Sequence, residues 1–465
     1  MRPRLSSRPE GAPSHAASGE GWGTERRRRG RLARFFGEFD GDRGPGQSAA
    51  RSWALLAFFT LLWLFCYVDV FIIGALLTPI KADLRLTDQQ LGQLHAATIV
   101  AYVAIVPLAG YLGDRLARKW IIFASILLLS AASIGSGFAG GFTALLAWRA
   151  LAGVGDGAFA TLSQTWIADV FGPKHRAFAF AVIMSTGQFA ATVAYALGGA
   201  VAAQASWHEA FVIAALPALV LGLAVGLLRE PRRTEADGSA LGGIPKPTAA
   251  EIGDLLKTRN YQLYLAAYVF RLVAIGGWFF WSAVLLQRRF GISNQEAVTF
   301  IGSTYLLTGA PGIFLSGLVA GHLARRVKGA FTYWLVAGDV LAGTTVSVIL
   351  LGRHGLAATE GLLLVQTFFA GFTWGVIATL LFEIVPARVR NTAVSLAMVA
   401  QNLGSAFLAS VLIGAASDRF GIGQALLVIP AGYFIAGAFA TALLIRQVRE
   451  SALGEPLAAP LPERA

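Results

Sequence analysis

Charge is what this chain of 465 residues has least of: Asp, Glu, Lys and Arg make up 14%, where a soluble protein carries about 25%. Cysteine is nearly absent too. Cys66 is alone, so no intramolecular disulfide can form. None of the four asparagines, Asn260, Asn294, Asn391 and Asn402, opens an N-x-Ser/Thr sequon, and N-glycosylation is not expected. There is no phosphate-binding loop, metal-ligand cluster or nucleophile motif, which argues against ATP-driven pumping and enzymatic chemistry and calls for no cofactor. The first 50 residues, with "ERRRRGRLARFF" from Glu25 to Phe36, lack the apolar core of a signal peptide.

What is present is apolar sequence in long blocks. Hydrophobic residues reach 55% and mean hydropathy is +0.61. The blocks run for about 20 residues or more, enough to cross about 30 Å of hydrocarbon as helix. Strand-like alternation over 10 residues is not visible, which excludes an outer-membrane barrel. Twelve spans are expected, near 53–79, 91–113, 120–140, 143–169, 177–204, 210–228, 260–286, 297–321, 330–352, 360–385, 391–416 and 423–445. The fold class is therefore all-α and polytopic. The net charge of +12 does not indicate nucleic-acid binding. With the N-terminus placed in the cytoplasm, thirty Lys and Arg fall inside, six outside and two within spans. That bias puts both termini in the cytoplasm by the positive-inside rule.

The polar stretch 229–259, with Pro, Gly and Ser, separates six spans (51–228) from six (260–446). Residues 1–50 read as a disordered basic cytoplasmic tail and 447–465 as a second tail; "TAAEIGDLLK" within the loop reads as a short surface helix. The halves echo each other. "GYLGDRLARK" (Gly110 to Lys119) ends span 2, and "GLVAGHLARR" (Gly317 to Arg326) ends span 8. "DVFGPKHR" (Asp169 to Arg176) follows span 4, and "EIVPARVR" (Glu383 to Arg390) follows span 10. A duplicated 6+6 carrier predicts this pattern, with substrate bound at the midplane between two rocking halves.

"GYLGDRLARK" resembles the cytoplasmic loop signature of the major facilitator superfamily, G-x-L-x-D-R-x-G-R-K, with Gly110, Leu112, Asp114, Arg115, Arg118 and Lys119 matching and Ala117 in place of the usual Gly. The resemblance implies two bundles of six helices and a cytoplasmic gate. It would place Asp114 near the helix start at Thr392, where a helix dipole favours an anion, and would pair Arg118 with Asp169. Both contacts are expected only when the cytoplasmic side is closed. Arg176, Glu383 and Arg390 complete the gate set.

A narrower resemblance is to the spinster-like family, whose animal members are associated with lysolipid and sphingolipid export. That family's N-Y-x-D-R reads "CYVDV" (Cys66 to Val70) here, and its G-x-G-E-A lies within "GVGDGAF" (Gly153 to Phe159). "WHEAF", "KTRNY" and "VPARVRNTA" are also similar. Val70 replaces the family's Arg and Asp156 its Glu. The G-P-x-x-G-G element of drug antiporters is not found; "AYALGG" (Ala194 to Gly199) keeps only the paired glycines, which suit close helix packing.

Five ionisable residues lie deep in spans: Asp69, Arg149, Asp156, Arg271 and Asp339. Such residues usually face a bundle interior and mark ion or substrate pathways. Asp69 lies about 24 Å from the cytoplasmic start of span 1, a depth between those of Arg149 and Asp156 on span 4. Asp69 is therefore expected to pair with Arg149, with Asp156 competing. A carboxylate balanced between desolvation and an Arg is what a proton carrier needs; a static bridge between spans 1 and 4 is the alternative. On span 7, Tyr264, Tyr268, Arg271, Ile275 and Trp278 share one face. With no acid evident on span 7 or at its depth on span 10, Arg271 points to a bound anion or to Asp156. Gln366, Thr373 and Trp374 are further lining candidates. Asp339 on peripheral span 9 reads as structural, and His95 as interfacial. The function expected is alternating-access secondary transport, proton-coupled, of a small or amphipathic, anionic organic solute, by a monomer in the plasma (inner) membrane. An uncoupled facilitator and a transport-dead sensor are the alternatives. The partners expected are the bilayer, the solute and protons.

Overall fold

In a computed structural model the structure describes residues 49–171, 173–228, 230, 248–374, 376–386 and 389–453. The basic tail, all but the edges of the inter-bundle loop and the last twelve residues lie outside them. Among the described residues there is no strand. The first six long helices are α1 (Ala49–Leu84), α2 (Asp88–Arg115), α3 (Arg118–Gly137), α4 (Phe142–Val170), α5 (Pro173–Gln204) and α6 (Trp207–Val225). The short helix expected in the loop forms over Ala249–Lys257, started by a capping box between Thr248 and Glu251. Then come α7 (Arg259–Phe290), α8 (Asn294–Leu323), α9 (Ala330–Leu351), α10 (Leu356–Ile384), α11 (390–420) and α12 (Val428–Ala452).

Ten of these twelve are long and apolar enough to cross a membrane. The exceptions are α4, which carries Arg149 and Asp156, and α11. Each packs among its neighbours as its sequence position requires. In the first bundle α4 lies against α2 and α3, and α1 against α5 and α6; in the second, α7 and α9 lie against α12. The bundles meet mainly through α2 with α11 and α5 with α8.

These two seams are made close by glycine. A Cβ at Gly92 of α2 would run into the backbone of Ser410 in α11, and one at Gly199 of α5 into the side chain of Val298 in α8. Both partner helices loosen into π-helical turns beside the seam, Tyr305–Gly309 in α8 and Gly404–Leu412 in α11. Such turns are often kept at functional places.

The core is distributed unevenly. At the end where α2 begins, one apolar cluster runs through both bundles, from Val68–Ile80 of α1 across Val273–Leu286 of α7 to Ile413 and Ile429. At the end bearing the 110–119 loop the core splits into one cluster per bundle. Burial holds the halves together at the first end, the sealed end, and they part toward the loop end.

Candidate functional site

The site is built where the shared core gives way to the divided one. Asp69 of α1 and Arg149 of α4 form an ion pair of 2.8 Å, at 2% and 1% exposure. Ser133 of α3 donates its hydroxyl to the other Asp69 oxygen. The Arg149 guanidinium lies 5.2 Å above the Phe211 ring of α6. Four helices thus converge on one ion pair, yet the guanidinium is not saturated: its Nε and Nη1 are buried with no hydrogen-bond partner. Asp156, 7% exposed, has no hydrogen-bond or ion-pair partner among the described residues. A buried carboxylate without a hydrogen-bond or ion-pair partner is costly to maintain.

Above the group, aromatic rings from both bundles close the way to the sealed end. Phe71 of α1 and Tyr305 of α8 each stand 4.9 Å from Phe279 of α7. Tyr195 of α5 donates its hydroxyl to the Phe279 carbonyl at 2.8 Å. The ring of His95 faces Phe280 of α7 at 4.9 Å, between the bundles.

Arg271 requires a larger correction. It is not waiting for an anion, because Asp339 of α9 binds it in a bidentate pair of 2.7 and 2.5 Å, with both residues at most 1% exposed. The counter-charge sits on the peripheral helix α9, not on α7 or α10. The rest of that candidate lining is dispersed. Tyr264 donates to the Ile377 carbonyl at 3.2 Å and Tyr268 to Gln401, both in the second bundle's own core; Trp278 lies in the shared core. Gln366 contacts the Tyr433 hydroxyl at 3.5 Å, Thr373 bonds its own helix at the Ala370 carbonyl, and Trp374 is exposed. These residues do not form one site, and the preference for an anionic solute loses its basis.

At the loop end Arg118 pairs with Asp169 at 2.6 Å. The pair joins α3 to α4 within one bundle and is formed while the cores at this end are separate, so it does not depend on closure as expected. Glu230 accepts the N–H groups of Arg118 and Lys119 at 3.1 and 3.4 Å, an anion at a helix N-terminus. Arg115 covers the Tyr111 ring at 4.1 Å; Asp114 is exposed and Gly110 faces open space. The echo between halves is repeated atom for atom. Arg176 donates to the Phe171 and Ala168 carbonyls, and Arg390 to those of Val385 and Phe382, each closing the end of the preceding helix. Glu383 stands at the corresponding end of α10.

The sealed end carries a cluster that sequence reasoning missed. Asp88, 1% exposed at the start of α2, accepts from Arg288 of α7 at 2.6 and 2.7 Å, from Lys81 at 2.5 Å and from Ser417 of α11 at 2.5 Å. Asp418 accepts the N–H groups of Asp88 and Gln89 at 2.8 and 2.9 Å. Thr87 and Gln90 form a capping box that marks this helix start in the sequence. Nothing in the sequence joins it to residues 200 and 330 positions away.

The sequence pattern of the Major Facilitator Superfamily matches residues 59–409. The chain belongs to that superfamily. It is a multi-pass membrane transporter, and its curated relatives place it beside the spinster proteins. It is 26% identical to Protein spinster of Drosophila melanogaster over 389 residues, 80% of this chain but 63% of that one. It is 28% identical to Protein spinster homolog 1 of Homo sapiens over 402 residues, 80% of this chain and 74% of that one. Among solved structures, a bacterial homolog to the human lysosomal transporter spinster, inward-facing and unoccupied, aligns with a TM-score of 0.77 at 19% identity, over 87% of this chain and 99% of that one. A D-xylose–proton symporter aligns at 0.66 and 17%, over 85% and 97%.

Proposed function

We propose that the chain is a secondary active transporter coupled to protons, moving a small or amphipathic organic solute by alternating access, with Asp69, Arg149 and Asp156 as the coupling group. The observation that carries this reading is the incomplete neutralisation at that group. Two carboxylates face one guanidinium, and only one of them is paired. With both acids ionised the group carries a formal charge of −1; with one proton it is neutral. Enclosing an uncompensated charge away from water is costly, so closing both ends around the group favours the protonated form. The opening of either end then becomes linked to proton binding. Val70 supports the same reading, since no cation neighbours Asp69 on its own helix and the acid depends on α4.

The loop end, rich in Lys and Arg, is the cytoplasmic one in this reading. The structure then corresponds to an inward-open state, with both termini in the cytoplasm of a monomer resident in the plasma (inner) membrane. Gly110, Asp114, Arg115, Arg118, Lys119, Asp169, Arg176, Glu383 and Arg390 form the gate at the loop end in this reading.

The test is flux into proteoliposomes, using a ligand first found by a thermal-shift screen of lysolipids, sugar phosphates and organic acids. Accumulation driven by a pH gradient supports coupling. Flux indifferent to the gradient leaves an uncoupled facilitator, and binding without flux leaves a sensor.

A further inference from the structure

The recess at the sealed end has no part in the reading above. Its volume is about 470 Å³, and its lining is Thr78, Lys81, Ala82, Arg85, Leu86 and Arg288. Three of the six are cations and none is an acid. Asp88 lies beneath, 1% exposed, and this single carboxylate is already shared by Lys81, Arg288 and Ser417. Two further acids nearby are also engaged: Asp83 accepts the Trp207 indole N–H at 3.0 Å, and Asp418 holds the start of α2. Arg85 is exposed and has no hydrogen-bond or ion-pair partner among the described residues. Its backbone has φ of +52°, the only non-glycine residue with positive φ among the described residues. That conformation is unfavourable for any residue with a Cβ, and strain of this kind tends to be kept where it places a side chain for use. Of the six Lys and Arg that topology assigns to this end, Lys81, Arg85, Arg288 and Arg289 gather around this corner.

We propose that this recess binds a phosphate-type anion and that its occupancy favours the sealed state. The unengaged guanidinium fork of Arg85, with the Lys81 ammonium and the Arg288 guanidinium that already grips Asp88 beside it, matches the oxygens of a phosphate, which Arg engages in bidentate fashion. The recess lies where α1 leaves its apolar span, so the anion is either the headgroup of an anionic lipid or a soluble phosphate. Thr78 to Leu86 belong to the first bundle and Arg288 to the second. Opening this end would pull Arg288 away, so the anion has its full set of partners only while the end is sealed, and binding shifts the population that way.

The experiment uses the full chain with Cys66→Ala, Glu209→Cys and Arg353→Cys, spin-labelled at the two exposed sealed-end positions. The distance distribution is measured by electron paramagnetic resonance in neutral detergent, with inorganic phosphate against chloride at equal ionic strength. It is measured again in phosphatidylcholine nanodiscs with and without phosphatidylglycerol. Growth of the short-distance population with phosphate identifies a soluble anion; growth with phosphatidylglycerol alone identifies a headgroup. In either arm Arg85→Gln and Lys81→Gln should each move the midpoint by about tenfold, the worth of one charge-assisted bond. A distribution unmoved by both phosphate and phosphatidylglycerol overturns the proposal, as does an unchanged response in the Arg85→Gln/Lys81→Gln double variant. Neither outcome depends on whether transport is proton-coupled.

Discussion

The two bundles bury one Arg–Asp pair each, in related places, and treat it differently. Arg271 lies 202 positions after Asp69, and Asp339 lies 206 after Ser133, so in each bundle a buried charge on the first helix meets a polar side chain at the matching place on the third. In the first bundle the first-helix residue is the acid, the third helix supplies only a hydroxyl, and the cation comes from α4 with two nitrogens unpartnered. In the second bundle the cation sits on the first helix and the acid on the third, joined by two bonds at 1% and 0% exposure. The two halves keep one scaffold and complete it differently. A saturated pair is a strut, while a pair with a spare acid beside it can exchange partners or take up a proton.

The sharpest way to break this comparison is to remove one member of the strut. Arg271→Ala leaves Asp339 charged and buried without a partner, and should cost about 3–5 kcal/mol of stability. Arg271→Leu/Asp339→Leu should recover most of that loss in a detergent melting assay, because replacing both members with apolar side chains is close to neutral. Failure of the double variant to recover would give Arg271 a role beyond the strut.

Asp156→Asn should behave in the opposite way. It removes no ion pair and should change stability by less than about 1 kcal/mol, while abolishing pH-gradient-driven accumulation in proteoliposomes. Accumulation at the wild-type level would remove Asp156 from the coupling group. A smaller effect is expected far from either pair. Glu230→Gln at the start of α3 should lower stability by about 0.3–1 kcal/mol, an effect that shrinks as salt rises. A loss independent of salt would show that the contact is not electrostatic.

The twelve helices, the 6+6 division and the Asp69–Arg149 pair were legible in the sequence, because apolar length, charge bias and depth along a helix are all local quantities. The Asp339 partner of Arg271 was not. Depth matched it, but the choice between α9 and α10 depends on which face of α7 turns inward, and the aromatic stripe from Tyr264 to Trp278 suggested the wrong surroundings. The Asp88–Arg288–Ser417 cluster was invisible for a different reason. Its members sit at helix ends, where charge is ordinary, and only the packing of α2 against α11 makes them neighbours.

Asp69→Asn tests the difference between the bundles most directly, with gradient-driven accumulation and counterflow exchange measured on the same proteoliposomes. Coupling through Asp69 predicts that accumulation is lost and exchange persists, since the neutral side chain still lets a loaded carrier reorient. Undiminished accumulation in that variant would make the Asp69–Arg149 pair a second strut and would contradict the account.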